Sequence, residues 1–261
     1  MDSVSWLVNP VKEAGQMALD YHHRLHFSQR TFKDDGTVLT KADQAVETFL
    51  VNAIRAHLPD ASIVGEEATQ DFHTSDWTFV IDPIDGTDAF SQGMTHWCIS
   101  LGVLDKALVP QAGFICVPAL SLFLWNDLNS PLTINGEAWN VRSPLDEMPE
   151  LANIMAASRI HLDVDTVDFS GKIRCFGSTA FHLCCPLLYP GVYGVVEHPR
   201  AHAWDIAGGH ALLRSVGWDL RFFDDSPLNY EPLLRGEVLG SVVLAGPKKH
   251  RTSLRETLKV R

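Results

Sequence analysis

The 261-residue chain lacks the features that mark several special classes of protein. No apolar run reaches the roughly 18 residues that a membrane span needs, so we expect no membrane segment. The first residues contain no basic segment followed by an apolar one, and we therefore expect no secretory signal. The five cysteines include no CxxC pair, and their odd number argues against a disulfide framework. We predict buried thiols in a reducing, cytoplasmic setting.

Positive charge is also scarce. Lys and Arg total 21 against 32 Asp and Glu, which gives a formal net charge of −11. A nucleic-acid-binding surface needs a basic footprint, so the composition argues against a nucleic-acid partner. The same negative field would repel an anionic substrate. If the protein binds an anion among its acids, cations must first neutralise some of those acids.

Hydrophobic periodicity predicts two different halves. In the first half, Asn9-Pro10 is typical of a helix start, a second helix begins at Thr40 and stops at Pro59, and Asn135-Gly136 predicts a tight turn. Strands are predicted at about 61–65, 77–82, 97–104, 110–117 and 120–125. In the second half, strands are predicted near 153–157, 172–176, 192–197, 218–223 and 240–245, with helices near 178–189, 205–216 and 248–258. The composition changes character near 143–150. We therefore expect an α+β subdomain over 1–145 and an α/β subdomain over 146–261.

The hexapeptide DPIDGT, from Asp82 to Thr87, carries the clearest chemical signal. It follows a strand-like run, and its Asp-Gly step favours a sharp bend. Such a turn can aim Asp82 and Asp85 at one point and leave the backbone N–H groups of Gly86 and Thr87 for an anion. This arrangement is typical of a hard divalent cation next to an anion.

Two more acids stand at similar boundaries. Glu66 follows the apolar pair Ile63-Val64, and Asp205 precedes a Gly-containing helical segment. Carboxylates from several points of the chain suit Mg²⁺, whereas histidine and cysteine ligands would suit zinc. Structural alternatives remain open: Asp85 could belong only to a turn, Asp205 could be a helix N-cap, and Asp43 could form a capping box with Thr40.

The order of these residues resembles the inositol monophosphatase family, the lithium-sensitive, Mg²⁺-dependent phosphatases. The matching features are Lys33, Thr40-x-x-Asp43, Glu66, Asp82-Pro-Ile-Asp85-Gly-Thr, Gly177-Ser178-Thr179 and Asp205. The resemblance runs nearly end to end. It implies a layered αβαβα sandwich with the active site between the halves, a small phosphate monoester as substrate, and a homodimer.

The resemblance also implies a set of metal ligands. Glu66, Asp82 and the backbone carbonyl of Ile84 would hold a first Mg²⁺, and Asp82, Asp85 and Asp205 a second, with Asp82 bridging. A third, weaker Mg²⁺ would lie near Glu66, so two to three ions are expected.

Catalytic and substrate-binding roles follow from the same resemblance. Glu66 and the Thr87 hydroxyl would orient the attacking water, with Asp43 supporting Thr87. The N–H groups of Gly86 and Thr87 would bind the phosphate. The substrate-binding positions would also include Asp85, Ser178, Glu197 and Asp205.

Two departures from the family pattern bear on the substrate. Glu197 lies eight residues before Asp205, where seven are expected, and the extra residue could bring Arg200 or a histidine into the pocket. Asp88 either stabilises the helix start or places negative charge near the phosphate, which would disfavour bisphosphates. We expect inositol 1-phosphate as the default substrate. The alternatives are histidinol phosphate, a bisphosphate (fructose 1,6-bisphosphate or a 3′,5′-bisphosphonucleotide), or a binding protein without activity.

Overall fold

The computed structural model of the protein describes residues 1–25, 31–32, 38–39, 41–128, 130–139, 152–166 and 169–261. The α-helices of this part of the chain are α1 (Val8–His23), α2 (Lys41–His57), α3 (Thr87–Ser91), α4 (Thr179–Leu188), α5 (Ala203–Ser215), α6 (Tyr230–Leu234) and α7 (Lys248–Thr257). The strands are β1 (Thr31–Phe32), β2 (Val38–Leu39), β3 (Ser62–Gly65), β4 (Gln70–Asp71), β5 (Trp77–Asp85), β6 (Cys98–Asp105), β7 (Pro110–Val117), β8 (Leu122–Trp125), β9 (Thr133–Ile134), β10 (Glu137–Ala138), β11 (Asn153–Ala156), β12 (Val164–Thr166), β13 (Lys172–Arg174), β14 (Val192–Glu197), β15 (Asp219–Phe222), β16 (Val243–Gly246) and β17 (Leu258–Val260).

Most of these strands belong to two sheets. The larger has the order β10-β9-β8-β7-β6-β5-β3-β4, and every neighbouring pair is antiparallel except β3 with β5. The smaller has the order β13-β11-β14-β16-β15, in which β11 runs parallel to β13 and β14. This confirms a largely antiparallel first sheet and a second half in which helices alternate with a mixed sheet.

The layers follow from which faces of the sheets are apolar. Along β5, Phe79 and Ile81 pack with α1 and α2, whereas Val80 belongs to the core shared with α4 and α5. Successive residues of a strand face opposite sides of the sheet. A strand that is covered on both sides is therefore apolar at nearly every position in the sequence. Helices α4 and α5 lie between the two sheets, and α7 covers the outer face of the smaller one. The order is helix, sheet, helix, sheet, helix, which confirms the αβαβα sandwich.

Three details of the sequence prediction were wrong. Helix α1 begins at Val8, not at an Asn9 cap, because a 3-10 turn over Ser5–Leu7 leads directly into it. Pro10 is tolerated there because the first turn of a helix has no intrahelical acceptors for its N–H groups. Helix α5 begins at Ala203, two residues earlier than predicted. Of the five cysteines, Cys175 is exposed and the other four are buried.

The tight turn at Asn135-Gly136 is confirmed. Both residues have positive φ (50° and 89°) between the antiparallel strands β9 and β10, as a two-residue hairpin turn requires. Lys33, Thr40 and the proposed boundary near 143–150 lie outside the described residues. Among the described residues, no helix combines the length and the hydropathy that a membrane crossing requires.

Candidate active site

Strand β5 carries two of the predicted carboxylates to one place. Residues three apart on a regular strand point to opposite faces. Here Asp82 pairs with Ser100, and Asp85 pairs with Cys98, so three steps along β5 match only two along β6. The extra residue is a β-bulge, which turns Asp85 to the same side as Asp82. The backbone N–H of Ile84 donates to Asp82 Oδ1 at 3.0 Å inside this bulge.

Gly86 makes the turn that follows. Its φ is +93°, in the left-handed region that favours glycine. A Cβ at this position would lie 2.9 Å from the carbonyl oxygen of Gly177, so space as well as backbone conformation requires glycine. Thr87 then begins α3. Its hydroxyl lies 2.9 Å from the Ile84 carbonyl and 3.3 Å from Asp43 Oδ1, and the Asp43 side chain is fully buried.

Helix α5 brings Asp205 to the same place by lying very close to the larger sheet. Gly102 on β6 pairs with Gly113 on β7 beneath this helix. A Cβ on Gly102 would lie 2.6 Å from Ala207 Cβ, and one on Gly113 would lie 2.2 Å from the Gly208 carbonyl oxygen. The two glycines therefore allow a helix-to-sheet distance that any larger residue would prevent.

Asp205 is not the N-cap of α5. The cap is His202, and Asp205 is the third residue of the helix, where its Oδ2 accepts the His202 N–H at 2.7 Å. This corrects the simple N-cap alternative to a capping box. This hydrogen bond occupies one of the two carboxylate oxygens of Asp205, so the side chain can still bind a cation.

Within the described part of the chain, the three aspartates form a group whose geometry could hold a metal ion. One carboxylate oxygen from each of Asp82, Asp85 and Asp205 lies within 4.8 Å of the others. Burial, followed by the neighbouring Glu66 and aspartates, holds the pKa of Asp82 well above its usual range. Burial and the Asp85 charge do the same to the pKa of Asp205. Burial raises the pKa of Asp85 to about 6, although hydrogen bonds from Ser178 and Ala180 oppose the shift. This all-oxygen, mutually repelling donor set fits a hard divalent cation.

Glu66 lies at the edge of this cluster. It directly follows β3, and its N–H donates to the Ile81 carbonyl at 3.2 Å. It is not one of the three residues that meet within 4.8 Å. Its negative charge nevertheless contributes to the raised pKa of both Asp82 and Asp205, so it lies within electrostatic range of the cluster.

Asp85 is held by the beginning of α4, which sequence reasoning did not predict. Its Oδ2 accepts the Ser178 hydroxyl at 2.5 Å and the Ala180 N–H at 2.6 Å, and its Oδ1 accepts the Thr179 N–H at 3.2 Å. Ser178 is fully buried and also caps α4 by accepting the Phe181 N–H. Its observed contacts therefore position Asp85, and its role toward substrate stays a prediction.

Glu197 is likewise buried and already hydrogen-bonded. Its Oε1 accepts the Nδ1–H of His182 at 2.6 Å, and its Oε2 lies 3.4 Å from the Thr179 hydroxyl. The Phe176 N–H donates to His182 Nε2 at 2.8 Å, which places the ring proton on Nδ1. Both side chains are almost completely buried. The substrate role of Glu197 stays a prediction, and its observed contacts tie β14 to α4.

The extra residue before Asp205 does not direct Arg200 toward the acids. The Arg200 guanidinium pairs with both Asp163 oxygens, at 3.1 and 2.9 Å. The His202 ring stacks on Trp204 with 4.5 Å between centroids. Asp88 is exposed and accepts a hydrogen bond from Gln92 at 2.8 Å.

One buried acid near the site was missed by the sequence interpretation. Glu47 lies on α2 four residues after Asp43, and its carboxylate accepts backbone N–H groups of the segment that follows Glu66. The signal was available, because helical residues four apart share a face.

One family of known proteins matches nearly the whole length of this chain. A model of the inositol monophosphatase family matches residues 5–257. The chain therefore belongs to the inositol monophosphatase family, and it is a phosphatase that acts on phosphate esters.

Individual relatives cover most of the chain. An uncharacterised Sinorhizobium fredii protein, y4fL, is 31% identical over 220 residues, covering 81% of this chain and 76% of that protein. A Thermotoga maritima protein named fructose-1,6-bisphosphatase/inositol-1-monophosphatase is 28% identical and covers 88% of each chain. The solved structure of a Thermotoga maritima IMPase has a TM-score of 0.78 at 20% identity, covering 97% of this chain and 95% of that one. This structural likeness supports the fold.

Proposed function

We propose that this phosphatase hydrolyses the phosphate monoester of a small polyol or sugar, with inositol 1-phosphate as the first candidate. The observation that carries the proposal is the meeting of Asp82, Asp85 and Asp205 within 4.8 Å, next to the Gly86–Thr87 turn. A cation site beside backbone N–H donors suits an anionic phosphate.

Two to three Mg²⁺ ions are the proposed cofactors. Asp82, Asp85 and Asp205 would hold one ion, and Glu66, Asp82 and the Ile84 carbonyl another, with a weaker third near Glu66. When bound, divalent cations supply Lewis-acid chemistry: they lower the pKa of water and offset charge on the phosphoryl oxygens. The raised pKa values of the aspartates support this assignment, because nearby positive charge would relieve the repulsion that causes them.

The attacking water would be oriented by Thr87 and Glu66. The Thr87 hydroxyl has one proton, and its neighbours Ile84 carbonyl and Asp43 Oδ1 are both acceptors. The hydroxyl proton is therefore engaged, and its oxygen can only accept a hydrogen bond from the water. Glu66, a carboxylate, would accept the other water proton. Backbone N–H groups of Gly86 and Thr87 would bind the phosphoryl oxygens.

A monophosphate is favoured over a bisphosphate. A second phosphate group needs additional positively charged groups to bind it. Arg200 cannot supply that charge, because its guanidinium is already paired with Asp163. Asp88 adds an exposed negative charge directly after Thr87. The Thermotoga maritima relative, whose name includes fructose-1,6-bisphosphatase, keeps the bisphosphate alternative worth testing.

Phosphate release over a substrate panel tests the proposal. The panel contains inositol 1-phosphate, histidinol phosphate, fructose 1,6-bisphosphate, adenosine 3′,5′-bisphosphate and simple sugar phosphates, with and without Mg²⁺ and lithium. We expect one monophosphate to dominate, and its turnover to disappear without Mg²⁺ and in Asp82→Asn. Preference for a bisphosphate, or full activity in Asp82→Asn, would contradict the substrate class or the ligand set respectively.

The proposal extends to the assembly of the protein and to its cellular location. The resemblance implies a homodimer, and the odd, unpaired cysteine set supports a cytoplasmic protein. Light scattering of the purified protein measures the first: a molar mass near twice 28.9 kDa supports a dimer, and a monomer mass contradicts it.

A further inference from the structure

Glu47 is a buried carboxylate that the proposed chemistry does not use. Its side chain on α2 is only 2% exposed. A carboxylate so deeply buried is costly unless hydrogen-bond donors surround it. The donors therefore show what the residue does.

Three consecutive backbone amides donate to this one carboxylate. Glu47 Oε2 accepts the N–H of Glu67 at 2.7 Å, and Oε1 accepts those of Ala68 and Thr69 at 2.8 and 2.9 Å. The Thr69 carbonyl accepts the Gly65 N–H at 2.6 Å and closes the loop. The chain from Gly65 to Thr69 is thus wound around the carboxylate.

Glu66 lies within this loop and is held on both sides. Before it, β3 pairs with β5, and the Glu66 N–H itself donates to the Ile81 carbonyl at 3.2 Å. After it, the chain is bound to Glu47 at three successive residues. Hydrogen bonds to a charged acceptor are among the stronger ones in proteins, so this arrangement restricts the backbone of Glu66.

Gly65 makes the approach of Glu47 possible. A Cβ at Gly65 would lie 2.5 Å from Glu47 Oε2 and 2.6 Å from its carboxyl carbon. Any larger residue at this position would push the Glu47 carboxylate away from the amides that it binds, so space rather than an unusual backbone conformation favours glycine here. The Glu47 carboxylate occupies the space that a side chain at position 65 would fill, so its position depends on Gly65.

Helix α2 connects this loop to the rest of the site. Asp43 and Glu47 are one helical turn apart, and both are buried. Asp43 contacts the Thr87 hydroxyl, and Glu47 contacts the amides that follow Glu66. Helix α2 therefore supports both the Thr87 hydroxyl and Glu66, the two groups that would orient the attacking water.

We propose that Glu47 is a positioning residue that sets the Glu66 carboxylate beside Asp82 and Asp205. Metal affinity would then depend on a side chain that is not one of the proposed ligands. This inference rests on the proposed role of Glu66 as a metal ligand.

Three variants of the 261-residue chain test the inference. Glu47→Gln keeps the size but has only one acceptor oxygen, so at least one of the three amides loses its partner. Glu66→Gln removes the proposed ligand itself. Asp127→Asn is the matched control, because Asp127 also accepts backbone N–H groups, from Val4 and Leu128 at 2.7 and 2.8 Å, in another part of the fold.

Mn²⁺ binding by calorimetry and amide hydrogen exchange of the metal-free proteins are the two measurements. We expect Glu47→Gln to weaken Mn²⁺ binding about ten- to a hundredfold, as loss of a residue that orients a metal ligand does. Exchange at residues 67–69 should quicken by about tenfold. Asp127→Asn should change neither. If Glu47→Gln does not fold, Gly65→Ala displaces the same carboxylate and should weaken Mn²⁺ binding in the same way.

The results separate this inference from the proposed function. If Glu66→Gln weakens Mn²⁺ binding and Glu47→Gln does not, the positioning role is wrong and the metal assignment stands. If Glu66→Gln binds Mn²⁺ as the unaltered protein does, the ligand set is wrong, and the role of Glu47 at the metal is overturned with it. Unchanged exchange at residues 67–69 in Glu47→Gln also overturns the inference.

Discussion

The close packing of α5 on the larger sheet predicts a large effect from one added methyl group. In Gly102→Ala the new Cβ would lie 2.6 Å from Ala207 Cβ, 2.7 Å from the Ala207 carbonyl carbon and 2.9 Å from the Gly208 nitrogen. None of these atoms can rotate away, since all belong to the backbone or Cβ of the helix. Ordinary contact begins at 3.4 Å, so the helix must move by about 0.8 Å.

The displacement should reduce both stability and catalysis. Overpacking of this kind costs about 1–3 kcal/mol in the free energy of unfolding. Asp205 lies two residues before Ala207, and Mg²⁺ requires near-ideal ligand geometry. A misplacement approaching 1 Å should lower kcat/KM by about a hundredfold. Urea unfolding and steady-state kinetics at varied Mg²⁺ measure the two effects.

Gly191→Ala provides the control for this substitution. Its Cβ would lie 3.5 Å from Asn153 Nδ2, which is ordinary contact, so stability and Mg²⁺ dependence should stay close to those of the unaltered protein. If Gly102→Ala matched that control in both measurements, the idea that close packing of α5 places Asp205 would be wrong.

Three further predictions concern the acids and the hydroxyls around them. In EDTA, the free energy of unfolding should fall by roughly 3 kcal/mol as pH rises from about 4 to about 6. The reason is that the raised pKa of Asp85, about 6, lets the folded protein keep a proton that the unfolded chain has released. Added Mg²⁺ should remove most of this loss of stability. A free energy of unfolding that rises with pH in EDTA would contradict the prediction. Ser178→Ala removes the 2.5 Å hydrogen bond to Asp85 and should weaken Mn²⁺ binding by about 2 kcal/mol in a calorimetric titration, whereas unchanged affinity would show that Ser178 does not position Asp85. Thr87→Val should lower kcat by about a hundredfold with little change in Mn²⁺ affinity, and an equal loss of both would assign Thr87 to metal binding instead.

Much of the fold could be predicted because its strands are covered on both faces. The predicted strands at 110–117 and 192–197 match β7 and β14, both of which are almost entirely buried. Element ends depended on capping, which a pattern of apolar residues does not encode. The start of α5 is one example, because His202 rather than Asp205 caps it.

The candidate site was predictable as a set of acids but not as an arrangement. The DPIDGT motif predicted that Asp82 and Asp85 converge, yet the convergence depends on a bulge set by pairing with β6. The Asp85 contacts with α4 join residues more than ninety positions apart in sequence. Local patterns carry no information about such long-range contacts, so the role of the α4 N–H groups required the structure. The helical spacing of Glu47 from Asp43 placed both on one face of α2, but the backbone N–H groups that Glu47 binds were visible only in the structure.

A crystal structure of the protein grown with Mn²⁺ and inorganic phosphate tests the central claim most directly, because Mn²⁺ can be located by its anomalous scattering. The proposed function predicts an anomalous peak among Asp82, Asp85 and Asp205, a second near Glu66 and the Ile84 carbonyl, and phosphate at the N–H groups of Gly86 and Thr87. Protein saturated with Mn²⁺ that shows no peak at the three aspartates would contradict it.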